Sequence, residues 1–177
     1  MIIGNDARTL SIASAPEEGN QLRFAMRVGK SAYKRSLMAL PIGEKLNVSR
    51  SAGSFMLRDD VARPVVFFAG GIGITPVRSI LASAFICRDP RDFFVFYSNR
   101  TSKEVAYFDE FLEWASVRQL TLIPTITTDA FDPTWRYERG RIDRAMIERA
   151  LVDVARSLFY IAGPPDMVLG TWQLLHM

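Results

Sequence analysis

The sequence predicts an α/β fold in which a doubly wound parallel sheet follows a smaller antiparallel β module. Two observations carry the parallel sheet. Val65-Val66-Phe67-Phe68-Ala69 is a continuous apolar strand that runs straight into Gly70-Gly71-Ile72-Gly73-Ile74-Thr75-Pro76 and an amphipathic helix. Two more apolar runs, Phe93 to Tyr97 and Leu158 to Ala162, follow helical stretches, as strands covered on both faces do. The third observation is that the pattern before about Arg63 changes to short strands and turns.

In chain order, Thr9 to Ala13 and Leu22 to Val28 read as short strands joined by the turn-rich Ser14 to Asn20, which fits a hairpin. Ser31 to Leu40 reads as a short helix ended by Pro41-Ile42-Gly43, and Lys45 to Ser49 as another strand. The charged, proline-ended stretch Arg58 to Pro64 marks a boundary, dividing the chain into residues 1–62 and 63–177.

The strand from Val65 opens the second part. Gly70, Gly71 and Gly73 lack a Cβ, so the backbone there can turn sharply and approach a ligand. Thr75 is expected to cap the following helix and Pro76 to take its first position. Val77, Ile80, Leu81, Ala84 and Phe85 form that helix's apolar stripe. Free N–H groups and the positive dipole end at such a turn suit a diphosphate, so the motif reads as a phosphate cradle. The competing reading is a glycine turn that holds no ligand; a bare G-x-G would favour it, and the full strand, glycines, Thr-Pro and helix oppose it.

The strand Phe93 to Tyr97 ends in the polar loop Ser98 to Ser102, followed by a helix expected over Lys103 to Arg118, with Tyr107, Phe108, Phe111, Leu112 and Ala115 buried. Thr121 to Ile126 is a third strand in which Pro124 suggests a bulge or an edge. A polar loop from Thr127 to Arg141 carries Trp135 and Tyr137. Asp143 caps the next helix, Ile142 can staple to Ile147, and Met146, Ile147, Ala150, Leu151 and Val154 repeat at helical spacing. The strand Leu158 to Ala162 turns through Gly163-Pro164-Pro165-Asp166 into a last helix, whose apolar surface comes from Met167, Leu169 and Trp172. Right-handed crossovers place the loops at Gly71 to Thr75, Ser98 to Arg100 and Gly163 to Pro164 on one rim of the sheet, where such folds bind ligands.

Composition narrows the function. The chain has 177 residues, 49% hydrophobic and 23% charged, which suits a globular protein with one good core. No stretch approaches the roughly 20 apolar residues of a membrane span, and the N-terminus lacks a signal-peptide core, so a cytoplasmic location is expected. One cysteine and one histidine exclude a thiolate-held cluster or a structural zinc site built by this chain alone, and no Ser-His-Asp or Cys-His nucleophile is available. Cys87 is expected to be a small apolar filler near a helix end, and His176 is assigned no role. The net charge of +3 comes with arginines spread along the chain, which suits anionic cofactors and gives no nucleic-acid signature.

Taken together, these residues resemble the ferredoxin–NADP reductase-like flavoenzymes across nearly the whole chain. Arg8-Thr9-Leu10-Ser11-Ile12-Ala13-Ser14 is similar to the family's R-x-[YF]-S flavin motif, Ala69 to Pro76 to its nicotinamide-nucleotide loop, Tyr97-Ser98-Asn99-Arg100-Thr101 to its adenosine-ribose loop, and Ala162-Gly163-Pro164-Pro165 to its C-G-P-P turn. The resemblance implies a partial flavin-binding β-barrel over 1–62 and an NAD(P)-binding domain over 63–177. Its cofactors would be FAD and NAD(P)H. Arg8 would meet a flavin phosphate, and Ser11 the flavin ring near N5. Lys34 and Arg35, near a helix start, offer charge for the flavin pyrophosphate, or simply a solvated helix face. Ser98 and Arg100 suit a 2′-phosphate; Arg100 equally suits the diphosphate or solvent. Ser11 and Thr75 are expected nearest the reacting rings.

Two departures stand out. Leu10 replaces an aromatic residue and gives up a ring contact worth on the order of 1 kcal/mol. Ala162 replaces the usual cysteine. Only seven residues precede Arg8, and the chain stops at Met177, so the resemblance implies either a barrel truncated at both ends or one completed by self-association or by another chain. The expected function is NAD(P)H-dependent flavin oxidoreduction, with hydride passing from nicotinamide to flavin and electrons on to an unidentified acceptor. The alternative is a non-catalytic dinucleotide-binding or regulatory protein that no longer holds flavin.

Overall fold

The computed structural model describes residues 1–3, 6–128, 132–151 and 153–176; the part of the Thr127 to Arg141 loop at 129–131 therefore lies outside the described residues. At the N-terminus, β1 (Ile2–Ile3) pairs antiparallel with β2 (Asp6–Ala7). The expected hairpin of Thr9 to Ala13 with Leu22 to Val28 is reduced to one antiparallel bridge, Ile12 to Phe24. A two-stranded ribbon is marginal on its own, and the connection is committed elsewhere: Pro16–Glu18 forms a 3-10 turn packed against the helix at Ile74–Ile86, with Ala13, Ser14 and Ala15 buried. The helix read from Ser31 is α1 (Ala32–Met38), and the Ser31 hydroxyl accepts from the Lys34 amide. The strand expected over Lys45 to Ser49 is reduced to a single bridge residue, Asn47.

The remaining residues build a five-stranded parallel sheet. Its strands are β3 (Val65–Gly70), β4 (Phe93–Asn99), β5 (Leu120–Ile126), β6 (Glu138–Arg139) and β7 (Leu158–Ala162), in the order β6-β5-β4-β3-β7. The helices are α2 (Ile74–Ile86), α3 (Phe108–Val117), α4 (Arg144–Ala150) and α5 (Pro165–Leu175). All six β3 residues are buried, which explains the unbroken apolar run. Alternate side chains serve the two faces. Val65, Phe67 and Ala69 pack with Val77 and Leu81 of α2 and Phe111 of α3, while Val66 and Phe68 pack with Met146 and Ile147 of α4 and with Met167 of α5. The sheet is therefore doubly wound, as expected. Pro124 faces β4, and β6 pairs only with Thr125 and Ile126 beyond it, so this part of β5 is an edge, where a missing N–H is tolerated.

Several local expectations are corrected. Gly71–Gly73 forms a 3-10 turn and α2 starts at Ile74, so Thr75 lies inside the first turn rather than capping it, and Pro76 takes the third helical position, where no donor is needed. The helix expected from Lys103 is broken: Ser102–Glu104 is a 3-10 turn, Tyr107 is left-handed at φ 57°, and only then does α3 begin. The cause is tertiary, because the Ala106 amide donates to the buried Tyr97 hydroxyl at 3.0 Å instead of to a helical carbonyl. Asp143 caps α4 as read, accepting from the Met146 amide at 2.7 Å, but the helix stops at Ala150, short of Val154. Cys87 is exposed rather than a filler. In α5, Leu169 and Trp172 are exposed, and Met167, Leu174 and Leu175 make the core contact instead.

The N-terminal segment is held to the sheet domain by a cluster that sequence reading did not anticipate. Arg78 of α2 is 2% exposed and donates to Ala13 O at 2.9 Å and to the carboxylates of Glu18 and Glu110, and its guanidinium lies 5.6 Å from the Trp114 ring centre. The Ser79 hydroxyl donates to Ser14 O at 2.7 Å. The boundary stretch is also packed: the Arg58 amide donates to the Tyr160 hydroxyl, Arg91 donates to Arg58 O, and Arg63 donates to the carbonyls of Arg156 and Ser157.

Candidate dinucleotide site

Strand order reverses around β3: the chain builds β4, β5 and β6 to one side and returns to place β7 on the other. A crevice opens beyond the carboxyl ends of the strands at such a point. Here it is a cavity of about 800 Å³, lined by Gly70, Gly71, Ile72, Gly73 and Pro76 from the glycine turn, Ser98, Asn99 and Arg100 from the end of β4, and Ala162, Gly163 and Pro164 from the end of β7. The three loops expected on one rim do meet. Ser11 joins them from the N-terminal segment.

Backbone conformation explains the glycines. Gly71 sits at φ +52°, where other residues are strained, and a Cβ added to it would meet only Arg27 Nη2, at 3.0 Å. A Cβ on Gly73 would lie 2.2 Å from Ala162 O and 2.9 Å from Gly163 Cα, so a bare glycine lets the β3 turn pack directly on the β7 turn. The β4 loop is buttressed from behind, the amides of Thr127 and Thr128 donating to Asn99 O and Arg100 O at 2.9 and 3.0 Å.

Polar supply within the cavity is uneven. Asn99 is 4% exposed, and neither atom of its side-chain amide has a hydrogen-bond partner within the protein. A buried unpaired amide is costly and is the kind of group that a ligand satisfies. Three arginines, Arg27, Arg100 and Arg141, line the cavity against one carboxylate, Asp166. That excess of positive charge over a glycine turn suits an anion.

Not every expected residue arrives. Thr75 is 1% exposed and does not line the cavity; its hydroxyl has no partner within the protein. Arg8, Thr9, Leu10, Lys34 and Arg35 do not line it either. Arg8 donates to Ala7 O and lies 5.5 Å from the Tyr33 ring centre, Lys34 Nζ donates to Arg27 O, and Arg35 donates to Lys30 O. Sequence reading missed Arg27, Thr127, Arg141, Asp166 and Thr171. Of these, Thr127 and Asp166 directly follow recognised strand or turn ends, which is a usable signal, whereas Arg27 carries none.

Residues 67–172, which contain all three rim loops, match the oxidoreductase NAD-binding domain family. The chain belongs to that family. It has relatives among reductase components. It is 25% identical over 176 residues to the reductase component of propane 2-monooxygenase from Rhodococcus jostii, covering 96% of this chain and 47% of that protein. It is 28% identical over 147 residues to the NADH nitrate reductase of Solanum lycopersicum, covering 75% of this chain and 16% of that protein. The chain thus spans about half the length of the first relative and a smaller share of the second. Among solved structures, the cytochrome P450 reductase of Amycolatopsis superposes with a TM-score of 0.82 at 22% identity, over 98% of this chain and 53% of that one. A ferredoxin NADP+ reductase from Neisseria gonorrhoeae, solved with bound FAD and NADP, gives 0.79 at 23% identity, over 96% and 71%. The ferredoxin–NADP reductase-like fold read from the four motifs is borne out. No helix among the described residues is long and apolar enough to cross a membrane.

Proposed function

We propose that this chain is the dinucleotide-binding part of an NAD(P)H-dependent flavin oxidoreductase, with residues 63–177 holding the nicotinamide dinucleotide and residues 1–62 contributing to an FAD site. The observation that carries this reading is the meeting of Ser11 with the glycine turn, the β4 loop and the Gly163-Pro164 turn around one cavity. The residues fit a dinucleotide: an open backbone turn at Gly71, an unpaired Asn99 amide and a cationic lining are the counterparts of a diphosphate and a ribose. When both cofactors are bound, the nicotinamide supplies a hydride that the flavin accepts and passes to an acceptor as electrons. The protein's part is orientation. Gly70 to Gly73 form one wall of the cavity, Gly163 and Pro164 form another, and Ser11 lines it nearest the reacting rings, while Thr75 is buried in the first turn of α2. No side chain acts as a strong acid or base.

The test is a visible spectrum of the purified chain. Bands of bound flavin that bleach on adding NADH or NADPH are expected. A colourless protein that still binds a dinucleotide refutes the redox reading in favour of a second one, a dinucleotide-binding protein without flavin. One observation favours that second reading: Arg8, Lys34 and Arg35, the residues offered for the flavin phosphates, do not line the cavity, and each donates to a backbone carbonyl, of Ala7, Arg27 and Lys30.

A further inference from the structure

Arg27 stands out among the cavity residues because nothing in the sequence motifs assigns it. It comes from the N-terminal segment, yet its Nη2 lies 3.0 Å from the point where a Gly71 Cβ would be, which puts the guanidinium over the left-handed bend of the glycine turn. Its one ion-pair partner among the described residues, Glu104, is at 3.5 Å, with side chains 47% and 34% exposed. The contact is loose: Glu104 Oε2 is buried and has no hydrogen-bond partner. Lys34 Nζ, donating to Arg27 O, ties the Arg27 backbone to α1, so the guanidinium moves on a fixed stem. A planar donor fork over the left-handed glycine turn, held by a carboxylate that makes no good hydrogen bond to it, is arranged for exchange with a better anion.

We propose that Arg27 binds the diphosphate of the dinucleotide and that Glu104 competes with the ligand for it, holding the guanidinium over the glycine turn when the cavity is empty and releasing it on binding. The proposal rests on the dinucleotide reading above. Glu104 then sets affinity without touching the ligand: every binding event must break the Arg27–Glu104 pair, and removing the carboxylate removes that cost. Coupling of this kind is measurable by a double-mutant cycle.

The experiment titrates the purified chain calorimetrically with NADH, with NADPH and with ADP-ribose, which keeps the diphosphate and lacks nicotinamide. The proteins are wild type, Arg27→Gln, Glu104→Gln and the double variant. Loss of a charge-assisted bond to phosphate is expected to weaken binding of all three ligands roughly tenfold or more in Arg27→Gln. Glu104→Gln is expected to tighten all three about three- to tenfold, and that gain is expected to vanish in the double variant. A gain that persists without Arg27 is general charge removal and overturns the exchange. Unchanged affinity in Arg27→Gln overturns the role of Arg27. If wild type binds none of the three, the dinucleotide reading fails and takes this proposal with it, whereas wild-type binding with unaltered variants sinks this proposal alone. Far-ultraviolet circular dichroism of each variant separates loss of binding from loss of fold.

Discussion

Replacing Glu18 by glutamine tests the cluster that joins the two parts of the chain. The Glu18 side chain is 17% exposed and its carboxylate meets both Nη atoms of Arg78, itself 2% exposed. The Arg78 hydrogen bonds hold the Glu18 carboxyl down from an ordinary 4.5 to about 2, against an opposing push from burial. At about 1.4 kcal/mol per tenfold, that difference corresponds to about 3 kcal/mol of folding free energy at pH 7. Arg78 keeps Glu110 as a partner in the variant, so the loss stays at the lower end of the range for breaking a buried pair, which is about 3 to 5 kcal/mol. A carboxyl whose pKa is depressed on folding contributes stability that is complete above its unfolded value and is lost as pH falls through the folded one. The gap between wild type and Glu18→Gln, measured by urea unfolding, is therefore expected to be constant from pH 8 to 6. It narrows below about pH 5 and shrinks to about 1 kcal/mol at pH 3. A gap under about 1 kcal/mol at pH 7, or one that does not narrow in acid, refutes the reasoning.

Two other substitutions follow from the site's geometry. Gly73→Ala drives a methyl group against the backbone at Ala162 and Gly163, whereas Gly71→Ala meets only the movable end of Arg27 at the cost of a left-handed alanine. Urea unfolding is expected to show losses of roughly 2 to 3 kcal/mol for the first and about 1 kcal/mol for the second, with dinucleotide affinity falling more in Gly73→Ala; the opposite order overturns the packing argument. Burial pushes the Tyr97 phenol up to about 12, and its oxygen accepts the Ala106 amide. In an alkaline absorbance titration, Tyr97→Phe is expected to remove one late-ionising tyrosine and to cost about 1 to 3 kcal/mol through the unpaired amide.

What the sequence made legible is what local chemistry determines. Each core strand of the sheet is an apolar run followed in sequence by a helix, so β3, β4 and β7 could be read within a residue or two, and the three loops at their ends are the cavity rim. The helix expected over Lys103 to Arg118 failed for a different reason. Its apolar spacing at Tyr107, Phe108 and Phe111 runs through a break imposed by the Tyr97 hydroxyl, a contact that no local pattern encodes. The strands expected before residue 50 failed because β pairing needs a partner, and among the described residues Thr9 to Ala13, Leu22 to Val28 and Lys45 to Ser49 each hold no more than a single bridge residue, Ile12, Phe24 and Asn47. Arg78 was passed over inside an apolar helix stripe, since its partners Glu110 and Glu18 are 32 and 60 residues away in sequence. Thr75 looked like a cap because oxygen-bearing residues cap helices; the glycine turn coils one step earlier and buries it instead.

The Arg78 cluster and the cavity are two ends of one device. The first turn of α2 follows the glycine turn, and one turn later Arg78 and Ser79 grip the carbonyls of Ala13 and Ser14. Ser11, which lines the cavity opposite the glycine turn, is two residues from the gripped Ala13. The separation of Ser11 from Gly71 to Gly73 is thus set by the first turns of one helix and two hydrogen bonds, while strand pairing among the described N-terminal residues is confined to β1 with β2 and to isolated bridges. The proposed approach of a dinucleotide to a flavin would need that separation defined. The most buried charge among the described residues, Arg78, sits where it defines it.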